Sequence, residues 1–195
     1  MADGAELGME GPQTASWLGR LHADRDNIRS AINFAVADGN AECALILCAN
    51  AWRYWLWRGN LTEGRQLVMS ALASGDVPPA LRLRALKGAG ALAGEQGDLA
   101  TAKRLFEEGL ALARMLGDDR SLALVEANLG SWALLGLDYA AAITSYERSA
   151  RFLRSIDAPR SLSLVLQNLG QAYAGIGRHE RAVSVLTESL GLVRR

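Results

Sequence analysis

Three groups of residues in this sequence have types and spacings that could do chemistry. The stretch GAGALA, from Gly88 to Ala93, matches the dinucleotide-binding pattern G-x-G-x-x-G/A. The two histidines, His22 and His179, are side chains of the kind that bind zinc. A third group, of asparagines and basic residues, could bind a peptide backbone and an anionic group, because amides both donate and accept hydrogen bonds.

The first two groups do not predict catalysis. A dinucleotide site needs a strand and a tight turn before the glycines, whereas Gly88 to Ala93 lies in a helical pattern and aligns with NLGSWA and NLGQAY further along. Neither histidine has cysteines or carboxylates beside it at zinc-binding spacing. The sequence also contains no G-x-x-x-x-G-K-[ST] and no nucleophile elbow. We therefore predict no catalytic residue, no metal and no cofactor, and we do not expect an enzyme.

Composition narrows the range of partners. Lys+Arg and Asp+Glu number 21 each, so no general attraction to nucleic acid is expected. No apolar run approaches the roughly 20 residues of a membrane-spanning helix, and the acidic, glycine-rich start is not a secretory signal. Cys43 and Cys48, on different faces of a helix, are predicted to be buried thiols in a reducing compartment. We expect a cytoplasmic location, no membrane and no direct nucleic-acid binding.

The third group lies within an internal repeat. Helix-favouring residues dominate, and apolar positions recur every three or four residues. Three columns recur at a spacing of 40: Gly90, Gly130 and Gly170; Ala102, Ala142 and Ala182; and the large apolar residues Phe106, Tyr146 and Leu186. Small side chains let two helix backbones approach, and a large apolar side chain fills the seam between them. The repeating unit is therefore predicted to be a helix–turn–helix hairpin.

Turn and cap residues support the hairpin. Gly97 and Gly177 stand where the first helix of a hairpin ends. In the copy between them, Gly136 comes one residue early. Capping residues for the next helix are Asp98 and Asp138. Two further starts are predicted where an aspartate precedes a proline, at Asp76 before Pro78 and at Asp157 before Pro159.

These columns resemble the tetratricopeptide repeat (TPR), most clearly in NLGQAYAGIGRHERAVSVL from Asn168. The usual period is about 34 residues, so a period of 38 to 40 implies longer helices or joints. This longer form is similar to the C-terminal helical repeats of bacterial signalling ATPases and LuxR-type transcriptional regulators, and WLGRLHADRDNIRSAINFAVADG from Trp17 resembles the helix that precedes them. The resemblance implies an all-α, right-handed α-solenoid of TPR-like hairpins.

The predicted organisation has three parts: a disordered tail at 1–15, a leading helix at 16–39, and four hairpins at 40–76, 77–117, 118–157 and 158–195. No polar capping helix follows the last hairpin, and solenoid ends usually need one. We therefore expect the chain to be a fragment of a longer regulator, or to cover its last hairpin by self-association.

The tryptophan-rich stretch AWRYWLWRGNLTEG, from Ala51, is predicted to be a divergent first hairpin. Gly59 takes the turn position, Asn60 the cap and Gly64 the small position, with Val68 as the large apolar residue. Trp55 occupies the aromatic position of the repeat, and Trp52 a position that elsewhere holds a small residue. That departure suggests either looser packing or a gap filled by the preceding helix. Trp52 and Trp55 are predicted to be core, and Trp57 points nearly opposite.

In tetratricopeptide proteins the first helix of each hairpin lines a concave groove, where asparagines bind a peptide backbone and basic residues clamp a carboxylate. The resemblance therefore implies a groove of nine residues: Asn50, Arg53, Trp57, Arg84, Lys87, Asn128, Ser131, Asn168 and Gln171. Structural alternatives stay open. The asparagines could bond to a neighbouring hairpin, Arg53 could pair with Glu63 or Glu42, and the Trp17 helix could cover Trp57.

Two functions follow. The first is a non-catalytic scaffold that binds a protein or peptide in the concave groove, as a sensory or regulatory arm of a transcriptional regulator. The alternative is a small-ligand sensor whose pocket is framed by Trp57, Arg53 and the leading helix.

Overall fold

The computed structural model describes residues 14–193, and every regular element in this range is a helix. The all-α prediction is confirmed. Within this range the helices are α1 (Thr14–Ala23), α2 (Arg25–Ala37), α3 (Ala41–Arg58), α4 (Leu61–Ala73), α5 (Pro79–Glu95), α6 (Leu99–Leu116), α7 (Asp119–Leu135), α8 (Tyr139–Ser155), α9 (Pro159–Gly175) and α10 (His179–Val193).

The chain divides into two compact units, Met1–Gly109 and Leu110–Arg195. In the first unit α3 contacts α4 and α5, while α1 and α2 pack against α3. In the second unit α8 contacts both α7 and α9, and α9 contacts α10. Within each unit, helices that follow one another in the chain pack together and are joined by short turns, which is the arrangement expected of stacked hairpins.

The leading segment differs from its prediction. Instead of one helix over 16–39, two helices meet at Asp24, whose φ of −95° and ψ of 7° depart from helical values. Aspartate is a weak residue inside a helix because its side chain competes for backbone hydrogen bonds. Most of the predicted disordered tail lies outside the described residues, but its last two positions, 14 and 15, belong to α1.

The predicted contact between small and large columns is confirmed. A Cβ atom added to Gly90 would lie 2.6 Å from the Phe106 ring, and one on Gly130 would lie 2.8 Å from the Tyr146 ring. In the last hairpin the corresponding distance, from Gly170 to Leu186, is 2.7 Å. Under about 3 Å no Cβ fits without displacing its neighbour, so glycine is what lets the two helices of each hairpin approach so closely.

The turn of the third hairpin corrects the prediction for Gly136. Gly97 and Gly177 have φ of 77° and 73°, but the left-handed residue between them in the repeat is Leu137, with φ of 60°. Gly136 itself has an ordinary φ of −77°. The amide of Leu137 bonds to the carbonyl of Leu134 at 3.0 Å, as Gly97 bonds to Gly94 at 2.8 Å. The left-handed position thus recurs every 40 residues, at Gly97, Leu137 and Gly177, because the hydrogen-bond pattern of the turn is preserved. The glycine of this turn lies one residue before that position.

Two of the predicted caps are confirmed. The Oδ1 atoms of Asp98 and Asp138 each accept a backbone N–H three residues on, at 3.1 Å. Asp76 and Asp157 are not caps, since α5 and α9 begin after Pro78 and Ala158 with no side-chain cap bond. A proline in the first turn removes one backbone N–H that a cap would otherwise satisfy.

Only one of the two cysteines matches its prediction. Cys48 is fully buried, and burial raises its thiol pKa to about 12. Cys43 is exposed instead. It lies in the first turn of α3, where its amide bonds to the side chain of Asn40.

Candidate functional site

Asn50 of α3 is part of the packing between hairpins. Its side-chain amide donates to the carbonyl of Ile46 at 2.8 Å, and its Oδ1 accepts from Arg84 of α5 at 2.7 Å. The residue is only 4% exposed. Of the two roles left open by the sequence, this arrangement favours bonding to a neighbouring hairpin over contact with a peptide. The structure therefore corrects the role predicted for Asn50.

Trp52 and Arg53 form a stacked pair. The Arg53 guanidinium lies 4.5 Å from the centroid of the Trp52 ring, within the range of a cation–π interaction. A Cβ on Gly88 would lie 2.6 Å from Cγ of Trp52. The space for this tryptophan is therefore made by a glycine of the following hairpin, and neither of the two predicted explanations is correct.

Trp57 is the exposed member of the cluster. Its side chain is 45% exposed, whereas Trp55 is 3% exposed, so neither α1 nor α2 covers Trp57 fully. It lies one helical turn beyond Arg53, and Arg84 and Lys87 are half-buried on α5. We call Arg53, Trp57, Arg84 and Lys87 the α3–α5 face. All three of its cations make further interactions.

One of the two carboxylates suggested as partners for Arg53 has another partner. Glu63 of α4 pairs with Arg29 of α2, and Asp26 lies 3.1 Å from the same guanidinium. This pairing ties the leading helices to the first hairpin.

In the second unit a tyrosine connects two of the predicted groove residues. Tyr146 of α8 donates to Oγ of Ser131 at 3.0 Å, and Asn168 of α9 acts to lower the pKa of the same phenol. Ser131 in turn donates to the carbonyl of Ala127 at 3.0 Å. Tyr146 is completely buried, and this burial raises its pKa. The structure thus brings Ser131 and Asn168 together, through a phenol that the prediction had assigned to packing alone.

The other two groove residues of this unit lie on the same helices. Asn128 is half-buried on α7, and Gln171 is exposed on α9, one turn beyond Asn168. Neither side chain makes a hydrogen bond to another residue in the described part of the chain. Gln171 is therefore the exposed member of the predicted set in this unit, whereas Asn128 is half-buried like Ser131 and Asn168.

Sequence reasoning missed Glu126. It occupies the repeat position held by Leu86 and Leu166, and all three side chains are at most 1% exposed. Within residues 14–193 its Oε2 atom has no hydrogen-bond partner. Arg148 and Arg114 approach Oε1 only to 3.7 Å and 4.0 Å. Burial raises the pKa of this carboxyl against the opposing effect of the arginines. The column of leucines at a spacing of 40 was the signal that could have revealed it.

An apolar cavity lies beneath the leading helices. It has a volume of about 290 Å³ and lies between α1, α2 and α3, with Trp17, Ile28, Leu47 and Ala51 among its lining residues. Arg20 and Asp24 also border it. Neither Trp57 nor Arg53 lines this space, which is therefore distinct from the pocket predicted beside those two residues.

The histidines and acidic residues form no metal site within residues 14–193. No group of three or more histidine, cysteine, aspartate or glutamate side chains converges there. His22 instead lies 3.1 Å from the hydroxyl of Tyr54, which joins α1 to α3. None of the described helices is both long and apolar enough to cross a membrane.

Comparison with known proteins identifies the fold. The chain is similar to the crystal structure of BtubC from P. vanneervenii, with 16% identity over 99% of this chain and 87% of that one, and a TM-score of 0.75. MamA matches with 19% identity over 90% of this chain and 92% of that one, and a TM-score of 0.69. YrrB, described as a TPR protein with an unusual peptide-binding site, matches with 14% identity over 98% and 93%, and a TM-score of 0.55.

At these identities the likeness establishes a TPR-like helical fold. No family model and no curated protein matches the sequence.

Proposed function

We propose that this chain is a non-catalytic scaffold that binds a protein or peptide segment, as the sensory or regulatory arm of a bacterial transcriptional regulator. The TPR-like fold supports the scaffold role, because stacked hairpins present extended binding surfaces. YrrB provides a precedent within this fold for a peptide-binding site. The regulatory role rests on the resemblance of Trp17 to Gly39 and of the long repeats to LuxR-type proteins.

The observation that carries the proposal is the exposure of Trp57 on the α3–α5 face. A tryptophan left 45% exposed one helical turn from Arg53 has the composition of a binding hot spot. The indole offers apolar area, and the neighbouring cations can pair with a carboxylate of the partner. We place a partner's carboxylate at this face of the first unit. A second and independent surface, formed by Asn128 and Gln171 within the second unit, is assigned contacts with an extended backbone.

The test is a titration with extended peptides, each made with a free carboxylate and with a C-terminal amide. We expect the carboxylate forms to bind, and Trp57→Ala to weaken that binding by roughly thirtyfold, as for a hot-spot residue. Phe34→Ala, at a 72% exposed aromatic of α2, is the matched control and should bind like the wild type. If no peptide binds, or if both variants bind equally well, the scaffold assignment to this face fails.

A second copy of the chain is proposed to cover α10. Val183, Leu186, Leu190 and Val193 form an apolar stripe that is 38% to 67% exposed. Their counterparts 40 residues earlier, on α8, pack into the core against α9. The spacing of three, four and three residues reads the same in both directions, so two antiparallel copies of α10 can match stripe to stripe, as a two-fold interface requires.

Sedimentation equilibrium tests this association. Val183→Glu with Leu190→Glu should convert a dimer to a monomer while the helix content by circular dichroism stays constant. A wild type that is monomeric at high micromolar concentration would refute self-association through α10.

The cavity beneath α1 favours a small-ligand sensor as a second candidate function. Its apolar lining and its volume of about 290 Å³ suit a small apolar molecule. Anilinonaphthalene sulfonate is a suitable probe, because its rings are apolar and its sulfonate could meet Arg20. Ala31→Leu, which projects into the cavity from an exposed position, should abolish the fluorescence gain, whereas Ala37→Leu on the same helix should not. Equal fluorescence in both variants would remove this candidate.

A further inference from the structure

A polar cavity of about 350 Å³ lies entirely within the second unit. It is bordered by α8, α9 and α10, and it is separate from the proposed peptide-binding residues. Its charged and polar lining residues are Glu147, Arg151, Arg154, Tyr173, Arg181 and Ser184. Three guanidinium groups and one carboxylate thus converge on a space of the size that small-molecule sites occupy, about 300–1,000 Å³.

The single carboxylate in this lining is already engaged. Tyr173 is 5% exposed, and its hydroxyl donates to Oε1 of Glu147 at 2.5 Å. Burial and the neighbouring Glu147 raise the pKa of the phenol, while Arg181 and Arg178 act to lower it. Tyr173 therefore remains a protonated donor that orients Glu147, and two arginines are close enough to act on its hydroxyl.

The arginines of the cavity differ in their partners. Arg154 holds Glu188 through two bonds from one nitrogen, at 2.8 and 3.0 Å. In the part of the chain that the structure describes, no carboxylate pairs with Arg151 or Arg181. These two guanidinium groups come from different walls, α8 and α10. No ion pair in the described structure holds either group, and Glu147 is the single negative charge in the cavity lining.

We propose that this cavity binds a phosphate-type oxyanion between Arg151 and Arg181. Each guanidinium can donate two parallel hydrogen bonds to a pair of oxygens. A tetrahedral phosphoryl group presents three oxygens and up to two negative charges, so it can engage both arginines at once, whereas a carboxylate offers two oxygens and one charge. The hydroxyl of Ser184 supplies a further donor on the α10 side. The same phosphoryl chemistry could come from a free phosphorylated metabolite or from a phosphorylated side chain of a protein partner.

Isothermal titration of the whole chain with inorganic phosphate tests the proposal, at constant ionic strength and neutral pH. Arg151→Gln and Arg181→Gln should each weaken phosphate binding by roughly tenfold. The matched control is Arg160→Gln, an exposed arginine of α9 outside the cavity lining, and it should bind like the wild type. Glu147→Gln should tighten binding, because it removes a negative charge from the cavity and leaves an amide oxygen to accept from Tyr173.

A peptide carrying phosphoserine and its unphosphorylated twin distinguish the two sources. Binding of the phosphopeptide well above that of phosphate, with no binding of the twin, identifies a protein partner. Phosphate binding that the peptide does not improve identifies a free phosphorylated ligand. The proposal is overturned if neither phosphate nor phosphopeptide binds the wild type, or if Arg160→Gln weakens binding as much as the two cavity variants. Thermal melting of each variant confirms that it is folded.

Discussion

Glu126 and Arg148 lie 3.7 Å apart at their closest ion-pairing atoms, yet the second carboxylate oxygen of Glu126 has no hydrogen bond in the described structure. A buried carboxylate in this state is poorly compensated, because its desolvation is large and neither arginine contacts it closely. The column to which it belongs is otherwise leucine, so the fold itself does not require a charge there.

Replacing Glu126 with leucine should therefore stabilise the protein. Exchange of a buried ion pair for an apolar residue of similar volume is often neutral or stabilising by about 1–4 kcal/mol. Urea denaturation at neutral pH measures the change. Glu107→Leu, at an exposed glutamate of α6, is the control and should change stability by less than about 0.5 kcal/mol. A strongly destabilised Glu126→Leu would mean that its contacts with the arginines outweigh its desolvation.

Stability should also depend on pH through Glu126. Its pKa in the folded protein is raised above the ordinary value of 4.5, chiefly by burial. The folded state therefore holds this proton more tightly than the unfolded state does. The resulting stabilisation is complete below the unfolded pKa and is lost as pH rises through the folded pKa.

The measurement is the difference in unfolding free energy between wild type and Glu126→Gln, taken from pH 4 to pH 8. The wild type should lose stability relative to the variant as pH rises. Taking the difference cancels the contributions of other titrating groups to the pH dependence of stability. One such group is Asp98, whose pKa is lowered by its capping bond to Thr101 and by Arg65. Parallel stability curves for the two proteins would contradict a raised pKa at Glu126.

Leu137→Gly should stabilise the third hairpin. Leu137 holds a left-handed backbone with φ of 60° while its side chain is 69% exposed, so little packing is lost on truncation. Relief of the left-handed strain is worth roughly 1–2 kcal/mol, and the added freedom of the unfolded chain offsets part of it. We expect a net gain of about 0.5–1 kcal/mol by thermal or urea denaturation.

The neighbouring Leu135 provides the control. It is 70% exposed and ends α7, where glycine should be destabilising by up to about 1 kcal/mol. If Leu137→Gly destabilises as much as Leu135→Gly, the left-handed conformation assigned to Leu137 is wrong.

Ala142→Leu should destabilise the second unit. Ala142 is completely buried, and extra methylene groups in a well-packed core cost about 1–3 kcal/mol. Ala140→Leu, two residues earlier on the exposed side of α8, should have little effect. Chemical denaturation of both variants separates overpacking from a general effect of leucine in this helix, and unchanged stability of Ala142→Leu would argue against the register of the repeat.

The sequence alone determined the all-α class and the register of the repeated small and large residues. The small and large columns around Gly130 and Tyr146 recur at one spacing, and close helix packing depends directly on side-chain size at those positions. Local signals also placed the caps at Asp98 and Asp138, since an N-cap bond spans only three residues. At Gly136 and Leu137 the glycine does not occupy the left-handed position of the turn. There the repeat spacing of 40 predicts that position better than the residue type does.

Only the tertiary structure decided which polar groups are satisfied by hydrogen bonds within the protein. Asn50 bonds to Arg84 across two hairpins, and Ser131 accepts a bond from Tyr146 on a neighbouring helix. The repeat predicts that such helices are neighbours, but a hydrogen bond also depends on rotamers and on distances of a few tenths of an ångström. The same reason applies to Glu126, whose buried charge follows from how three helices enclose it.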